Sequence, residues 1–173
     1  KGDFLVSLCR KAEAWGVGID PRSDPADDDA SGSVRFLPEF YGRNHWPLPC
    51  DMLCCRHTLE HLYETDRFVG QIRKALDDKP DALVFFEVPD AGRVWREQAF
   101  WDVYYEHCSY FTAGALAEVF RRNRFEIMEL KRVFGEQYLT LVARPVQRHV
   151  FGRMVIEEDI AGLEQQLREF SLG

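Results

Sequence analysis

The sequence predicts an α/β fold with a mostly parallel sheet that ends in an antiparallel hairpin. Helix and strand patterns alternate from residue 3 to about residue 88, the order that builds a parallel sheet with helices on both faces. The run ALVFFEV at 82–88 is almost continuously apolar, as expected of a strand covered on both faces. The stretches 125–134 and 137–143 are separated by two residues, which is typical of a hairpin.

Apolar spacing and proline define the elements of the N-terminal part. Apolar residues recur at helical spacing over 3–14, which predicts an amphipathic helix. The run WGVGID at 15–20 predicts a buried strand that Pro21 stops. Residues 21–33 are rich in Asp, Ser and Pro and predict a solvated loop, and residues 34–37 predict a further strand.

Capping residues and apolar stripes define the later helices. A strand over 51–55 precedes a helix that we expect Thr65 to cap, and a short helix is predicted over 93–99. Thr112 is expected to cap the next helix. A last amphipathic helix is predicted over about 156–170.

The domain organisation follows from length and from the order of these elements. A chain of 173 residues with 46% hydrophobic residues is large enough to bury one core. We assign residues 1–145 to one domain and residues 146–173 to a linker and the amphipathic helix. That helix offers a surface through which the protein could form a homo-oligomer.

Composition narrows the classes of partner. The net charge is −7 and the basic residues are scattered, so no electrostatic footprint for nucleic acid is expected. No apolar run reaches the roughly 18 residues that a membrane-spanning helix needs. Five cysteines, two of them adjacent in an apolar run, predict reduced thiols, and we therefore expect a cytoplasmic protein. Because the first residue is Lys1 and a helix pattern starts at once, we expect the sequence to be a fragment.

A cluster of titratable side chains lies immediately before the helix that follows Thr112. Its members are Tyr104, Glu106, His107, Ser109 and Tyr110. A histidine beside a carboxylate in a partly desolvated site can accept a proton near neutral pH. The aromatic neighbours are expected to keep water away; they are Phe100, Trp101, Tyr105 and Phe111. The same residue types also occur as packed, hydrogen-bonded side chains, so a structural interpretation stands beside the catalytic one.

Polar residues also follow several predicted strands. Ligands of open α/β sheets bind beyond the carboxyl ends of the strands. Asp20 closes the first predicted strand, where a carboxylate can accept hydrogen bonds from ribose hydroxyls, and Arg56 and His57 follow a later one. Before the first helix, Gly2 allows close approach of a ligand to the backbone, and Asp3 begins a helix whose N-terminus favours anions. Each of these residues has an ordinary alternative as a turn former or strand end.

Several stretches together resemble a known family. The segments KGDFL, GVGIDP, CDMLCCRHTLEHL and ALVFFEVPD resemble successive parts of a class I S-adenosylmethionine-dependent methyltransferase. The segments YYEHCSYFT and GEQYLTLVARP are similar to the branch that methylates carbon atoms of keto sugars. The resemblance covers residues 1 to about 145. It implies a Rossmann-like sheet whose first strand, with most of the glycine-rich loop, is absent from this sequence.

The resemblance also implies roles for individual residues. His107 would remove a proton from a carbon next to a ketone of a small, sugar-like or other polar substrate. Glu106 would orient His107, and Tyr104 would help to stabilise the enolate. S-adenosylmethionine is the implied cofactor, with Gly2, Asp3, Asp20, Arg56 and His57 as the residues that bind it.

Two alternatives from other classes stay open. The stretch His57-Thr58-Leu59-Glu60-His61 satisfies H-x-x-E-H, a zinc pattern of metallopeptidases in which two histidines share a helical face and the glutamate is the base. Such a site needs a helix through both histidines and a ligand from elsewhere. The chain could also be a binding domain that kept the fold and lost the activity, because fold alone does not decide function.

Overall fold

Helices and strands alternate along the chain in the order that the sequence predicts. The computed structural model describes residues 2–24, 26, 28, 32–45, 50–148 and 160–172. The elements are α1 (Asp3–Ala12), β1 (Gly16–Ile19), β2 (Val34–Leu37), β3 (Met52–Arg56), α2 (Thr65–Ala75), β4 (Leu83–Pro89), α3 (Ala91–Arg96), α4 (Ala113–Arg122), β5 (Phe125–Val133), β6 (Tyr138–Pro145) and α5 (Ile160–Leu172).

The chain divides into two compact units, residues 1–46 and residues 47–173. In the first unit β1 and β2 pair in parallel, from Gly16 opposite Val34 to Ile19 opposite Leu37. Helix α1 buries Cys9 in a small core with Val34 and Phe36. This unit therefore has the helix and parallel strands that the apolar runs predict.

The second unit contains a mixed sheet in the order β3-β4-β6-β5. Strands β3 and β4 are parallel, whereas β6 is antiparallel to both β4 and β5. The predicted hairpin is confirmed, with Phe134, Gly135 and Glu136 at positive φ in its turn. The last strand of the sequence thus lies between β4 and β5, and the parallel pairing with β3 brings the carboxyl ends of β3 and β4 to the same edge.

Helices α2 and α4 supply apolar side chains to the core of the second unit. Phe86 of β4, Phe120 of α4 and Phe125 of β5 are fully buried. The ring centroid of Phe120 lies 4.8 Å from that of Phe86 and 5.6 Å from that of Phe125. Burial of one such side chain stabilises a fold by about 1.5–3 kcal/mol. These contacts anchor the strand ends that carry the polar residues described below.

A buried arginine joins α2 to the end of the hairpin. Arg73 is almost fully buried, and its guanidinium donates hydrogen bonds to the carbonyl oxygens of Arg124 and Val146. It also pairs with Asp77 on its own helix at 2.6 Å. Because its polar atoms have partners, the burial of this charge is compensated.

Two helix starts differ from the prediction and one agrees with it. The carbonyl of Glu64 already accepts the first helical hydrogen bond, from the Phe68 amide, so Thr65 is the first residue of α2 and not its cap. Helix α3 begins at Ala91 because the Asp90 carboxylate accepts from the Gly92 amide. The cap at Thr112 is confirmed, since its hydroxyl accepts from the Ala115 amide at 3.3 Å.

The C-terminal helix lies in the second unit and packs against α3. The predicted start near residue 156 lies outside the described residues. The boundary at residue 145 and self-association through this helix remain predictions. In the described ranges, no helix has both the length and the apolarity that crossing a membrane requires.

Candidate active site

A cavity of about 170 Å³ opens beside the carboxyl ends of β3 and β4. Its lining includes side chains from three stretches of the second unit: His57, Glu60, His61, Tyr104, His107 and Tyr138. Residues that are up to 81 positions apart in the sequence, from His57 to Tyr138, therefore share one site. Because this edge of an α/β sheet is the usual place for ligands, we take the cavity as the candidate active site.

Glu87 organises the end of β3. Its side chain is 5% exposed, and Oε1 accepts hydrogen bonds from Nε and Nη2 of Arg56 at 2.9 and 2.7 Å. Nε2 of His57 lies 2.9 Å from the same oxygen. His57 has a positive φ of 48°, and its amide donates to the Glu87 carbonyl, which ends the strand. Arg56 and His57, predicted to lie beside a cofactor, are thus held by this carboxylate.

A short 3-10 helix, Leu59–His61, turns Glu60 into the protein. Leu59 is fully buried and Glu60 is 2% exposed. The carbonyl of Glu60 accepts from the amides of Cys108 and Ser109 at 2.8 and 3.0 Å, so it holds the segment around His107 in place. His61 contributes to the same docking, because its Nδ1 lies 2.9 Å from the carbonyl oxygen of Glu106.

His107 lies among other rings in this docked segment. Its ring centroid is 4.9 Å from His61, 5.0 Å from Tyr104 and 5.9 Å from Tyr110. Burial lowers the pKa of His107 below its ordinary value, although the negative charge of Glu60 opposes that shift. The imidazole is therefore predominantly neutral near pH 7. Its Nδ1 is buried without a hydrogen-bond partner.

Glu60 supplies a buried carboxylate near His107. Its Oε2 is buried and has no hydrogen-bond partner. One side-chain donor atom from each of Glu60, His61 and His107 lies within 4.8 Å of the others. The sequence singled out Glu60 and His61 only as parts of the zinc pattern, since nothing in their spacing links them to His107.

The structure does not bring the Glu106 carboxylate to His107. Glu106 is exposed, and it contacts the cluster through its backbone carbonyl. The orienting role predicted for Glu106 therefore finds no supporting hydrogen bond to the ring of His107.

The predicted aromatic shield is also largely absent. Phe111 is buried, but Phe100, Trp101 and Tyr105 are 71%, 58% and 100% exposed. Proximity in sequence did not imply proximity to the site. The desolvation of His107 comes instead from its docking against Glu60, His61 and their neighbours.

The zinc pattern does not form a metallopeptidase helix. His57 has a left-handed backbone and lies before the 3-10 helix, which contains only Leu59, Glu60 and His61. The two histidines therefore do not share one face of an α-helix. His57 instead faces Glu87 and stacks edge-on against Tyr138.

The remaining predicted cofactor residues lie in the first unit. Gly2 has φ 82° at the N-cap of α1, and a Cβ there would approach the Phe36 ring to 2.3 Å. Only glycine fits this cradle. Asp3 is the first residue of α1. The Asp20 side chain is about half exposed, and its Oδ1 accepts from the Arg22 amide. The accessible Asp20 carboxylate suits a ligand with hydroxyl groups, whereas the Phe36 ring fills the space where a Gly2 side chain would lie.

Comparison with known proteins places these features in a family. A curated relative, the C-methyltransferase NovU of Streptomyces niveus, is 25% identical over 172 residues, which cover 91% of this chain and 40% of the relative. The chain thus spans about two fifths of that relative's length.

Two solved structures share the fold. The N,N-8-amino-8-demethyl-D-riboflavin dimethyltransferase of Streptomyces davawensis has a TM-score of 0.66 at 21% identity, covering 84% of this chain and 47% of that one. The 1,6-didemethyltoxoflavin-N1-methyltransferase of Burkholderia thailandensis has a TM-score of 0.61 at 19% identity, covering 82% and 66%. These likenesses confirm the predicted Rossmann-like α/β fold.

The family match covers most of the sequence. A family model described as a methyltransferase domain matches residues 1–130. Because this match extends over well more than half of the 173 residues, the chain belongs to the methyltransferase domain family.

Proposed function

We propose that the protein transfers a methyl group from S-adenosylmethionine to a small polar acceptor. Family membership supports this activity. The relatives are named for methyl transfer to carbon and to nitrogen. The toxoflavin-type enzyme was solved with S-adenosylhomocysteine bound, the product that remains after the methyl group has left.

The first unit would supply part of the cofactor site. S-adenosylmethionine carries an electrophilic methyl group on a positively charged sulfur. The left-handed Gly2 lets a ligand approach the start of α1, and Asp3 adds a carboxylate there. Asp20 would accept hydrogen bonds from ribose hydroxyls, because its carboxylate follows β1 and is accessible. Arg56 and His57, which Glu87 orients within the second unit, are proposed as further cofactor-binding residues on the resemblance alone.

The acceptor would be a carbon next to a ketone of a sugar-like or other small polar molecule. The single observation that carries this proposal is the position of His107 in a small cavity, with a ligand atom within 4.8 Å of one from the buried carboxylate of Glu60. His107 would accept the substrate proton at Nε2, since Nδ1 is buried. Glu60 would stabilise the resulting imidazolium by its charge, and Tyr104 would donate to the enolate oxygen. The name of the Streptomyces niveus relative supports carbon as the methylated atom.

Two substitutions in the full-length protein test this proposal. His107→Ala is expected to abolish transfer, a loss of about 100-fold or more, and to leave the affinity for S-adenosylhomocysteine nearly unchanged. Asp20→Ala is expected to weaken that affinity. Calorimetric titration of S-adenosylhomocysteine and a methyl-transfer assay measure the two effects.

The exposed Glu118 of α4 provides a matched control, because Glu118→Gln changes a charge outside the site. Equal loss of binding and transfer in His107→Ala would refute its role as the base. Unchanged affinity in Asp20→Ala would refute the ribose contact.

A further inference from the structure

One carboxyl oxygen of the buried Glu60 has no hydrogen-bond partner in the described structure. Its side chain is 2% exposed, and Oε2 is buried without a hydrogen-bond partner. A buried carboxylate without compensation is costly, so such groups are normally paired or bind a cation. The nearest recorded ion pair, Nδ1 of His57 at 3.9 Å, involves the other oxygen, Oε1.

His61 is prepared to donate a lone pair. Its Nδ1 lies 2.9 Å from the Glu106 carbonyl oxygen. A carbonyl oxygen only accepts hydrogen bonds, so Nδ1 carries a proton, and in the neutral ring Nε2 then carries the lone pair. Histidine ligands of metals are typically oriented in this way, by a backbone carbonyl on the opposite ring nitrogen.

His107 completes a set of three donors. Its buried Nδ1 has no hydrogen-bond partner, and one donor atom from each of the three residues lies within 4.8 Å of the other two. Ligands around zinc lie at about 2.0–2.2 Å from the ion, and hence roughly 3.3 Å from one another in a tetrahedral site. Small side-chain movements would therefore close the three donors around an ion.

We propose that Glu60, His61 and His107 bind a divalent transition-metal ion such as Zn²⁺. Two imidazoles and one carboxylate suit this class of ion, whereas Ca²⁺ and Mg²⁺ prefer sets of oxygen ligands. The cavity beside the three residues leaves room for a further ligand, such as an oxygen atom of the acceptor. The site differs from the H-x-x-E-H pattern, because His107 replaces His57 and Glu60 is a ligand instead of a base.

This inference goes beyond the proposed methyl transfer and does not depend on it. Binding through Nδ1 of His107 would require the proton of the neutral ring to be on Nε2, so that Nδ1 has the free lone pair. Nε2, the nitrogen proposed to accept the substrate proton, would then be unable to do so. Base catalysis by His107 and metal binding by His107 therefore exclude each other at any one moment. Titration of the metal tests this proposal, and titration of S-adenosylhomocysteine with the transfer assay tests the proposed function. Either proposal can therefore fail without the other.

The test is titration of Zn²⁺ into the full chain by calorimetry, with Co²⁺ as a second probe whose visible absorption reports coordination. We expect one ion per chain. Glu60→Gln, His61→Ala and His107→Ala are each expected to weaken binding by about tenfold or more. The matched control is Glu106→Gln, which removes a neighbouring exposed carboxylate and should leave the affinity unchanged.

Three results would overturn the proposal: no binding, binding that persists in His61→Ala, or binding that requires His57 but not His107. His61 is exposed, and in His61→Ala the backbone hydrogen bonds from Cys108 and Ser109 to the Glu60 carbonyl still hold the His107 segment, so the fold should stay intact. This variant therefore decides the question even if Glu60→Gln folds poorly. Persistent binding would point to the thiols, several of which are present.

Discussion

Two glutamates near His107 have environments opposite to those that their positions in the sequence suggest. Glu106 adjoins His107 in sequence but is exposed, whereas Glu60 lies 47 positions away and is buried in contact with the histidine cluster. Electrostatic interaction strengthens as water is excluded. Glu60 accordingly opposes the lowering of the His107 pKa more strongly than Glu106 does. The residue that matters most to His107 is therefore a distant one.

Substitution of each glutamate separates their roles in catalysis. In a chelator, so that bound metal plays no part, Glu60→Gln is expected to lower kcat/KM by about tenfold or more, because the imidazolium loses its buried counter-charge. Glu106→Gln is expected to change it by about twofold at most. Steady-state kinetics of methyl transfer measure both. A larger loss in Glu106→Gln would restore Glu106 as the partner of the base.

Cys55 provides a residue-scale probe of burial. Desolvation raises the pKa of its thiol to about 12, because the interior of β3 disfavours the thiolate. At pH 8 only about one molecule in 10⁴ would carry that thiolate. We expect Cys55 to resist alkylation by iodoacetamide in the folded protein, while the half-buried Cys108 reacts faster. Peptide mass spectrometry after timed labelling measures this; equally fast labelling of Cys55 would show that β3 is not buried there.

The same shift has a consequence for stability. Because folding raises the pKa of the Cys55 thiol above its ordinary value of 9.0, the unfolded chain loses this proton more readily. The protonated Cys55 thiol therefore contributes its full stabilisation below about pH 9, and this contribution to the free energy of unfolding declines as the pH rises toward 12.

At the scale of elements, α2 is joined to the hairpin end through one guanidinium. Arg73 links this helix to the carbonyls of Arg124 and Val146. The exposed Arg67, on the same helix, pairs only with Glu64 in the contacts described. Loss of Arg73 would leave two backbone carbonyls without this donor, whereas loss of Arg67 would remove one exposed ion pair.

Replacing the two arginines of α2 is expected to reduce stability by different amounts, more for Arg73 than for Arg67. Arg73→Ala is expected to lower the free energy of unfolding by about 2–3 kcal/mol, because the part-buried carbonyls of Arg124 and Val146 lose their donor and the buried side chain loses its packing. Arg67→Ala is expected to lower it by less than about 1 kcal/mol. Urea denaturation measures both changes. Similar values for the two variants would mean that Arg73 is hydrated in solution.

At the scale of the whole molecule, the two compact units each carry part of the proposed cofactor set. Gly2, Asp3 and Asp20 belong to the first unit, and Arg56 and His57 belong to the second. Family membership relates both units to one methyltransferase domain, since the match extends across residues 1–130. Cytoplasmic location, the lack of nucleic-acid partners and self-association through α5 remain predictions.

The sequence by itself determined the elements and the class of fold. Apolar periodicity and turn residues act locally, so the strands, the closing hairpin and the Thr112 cap could be predicted from neighbouring residues. The motifs were also sufficient to indicate the methyltransferase family, which the family match confirms. The prediction that Thr65 caps α2 was wrong, because the carbonyl of Glu64 accepts the first helical hydrogen bond and residue types alone did not indicate which carbonyl would do so.

Only the tertiary structure decided the composition of the candidate site. Burial and charge proximity depend on contacts between distant segments, which spacing along the chain does not encode. The docking of the His107 segment on the Glu60 carbonyl brought Glu60 and His61 to the histidine and left Glu106 in solvent. Three of the four aromatic residues expected to shield the site are exposed. The sequence could therefore name His107, but its partners were chosen by the fold.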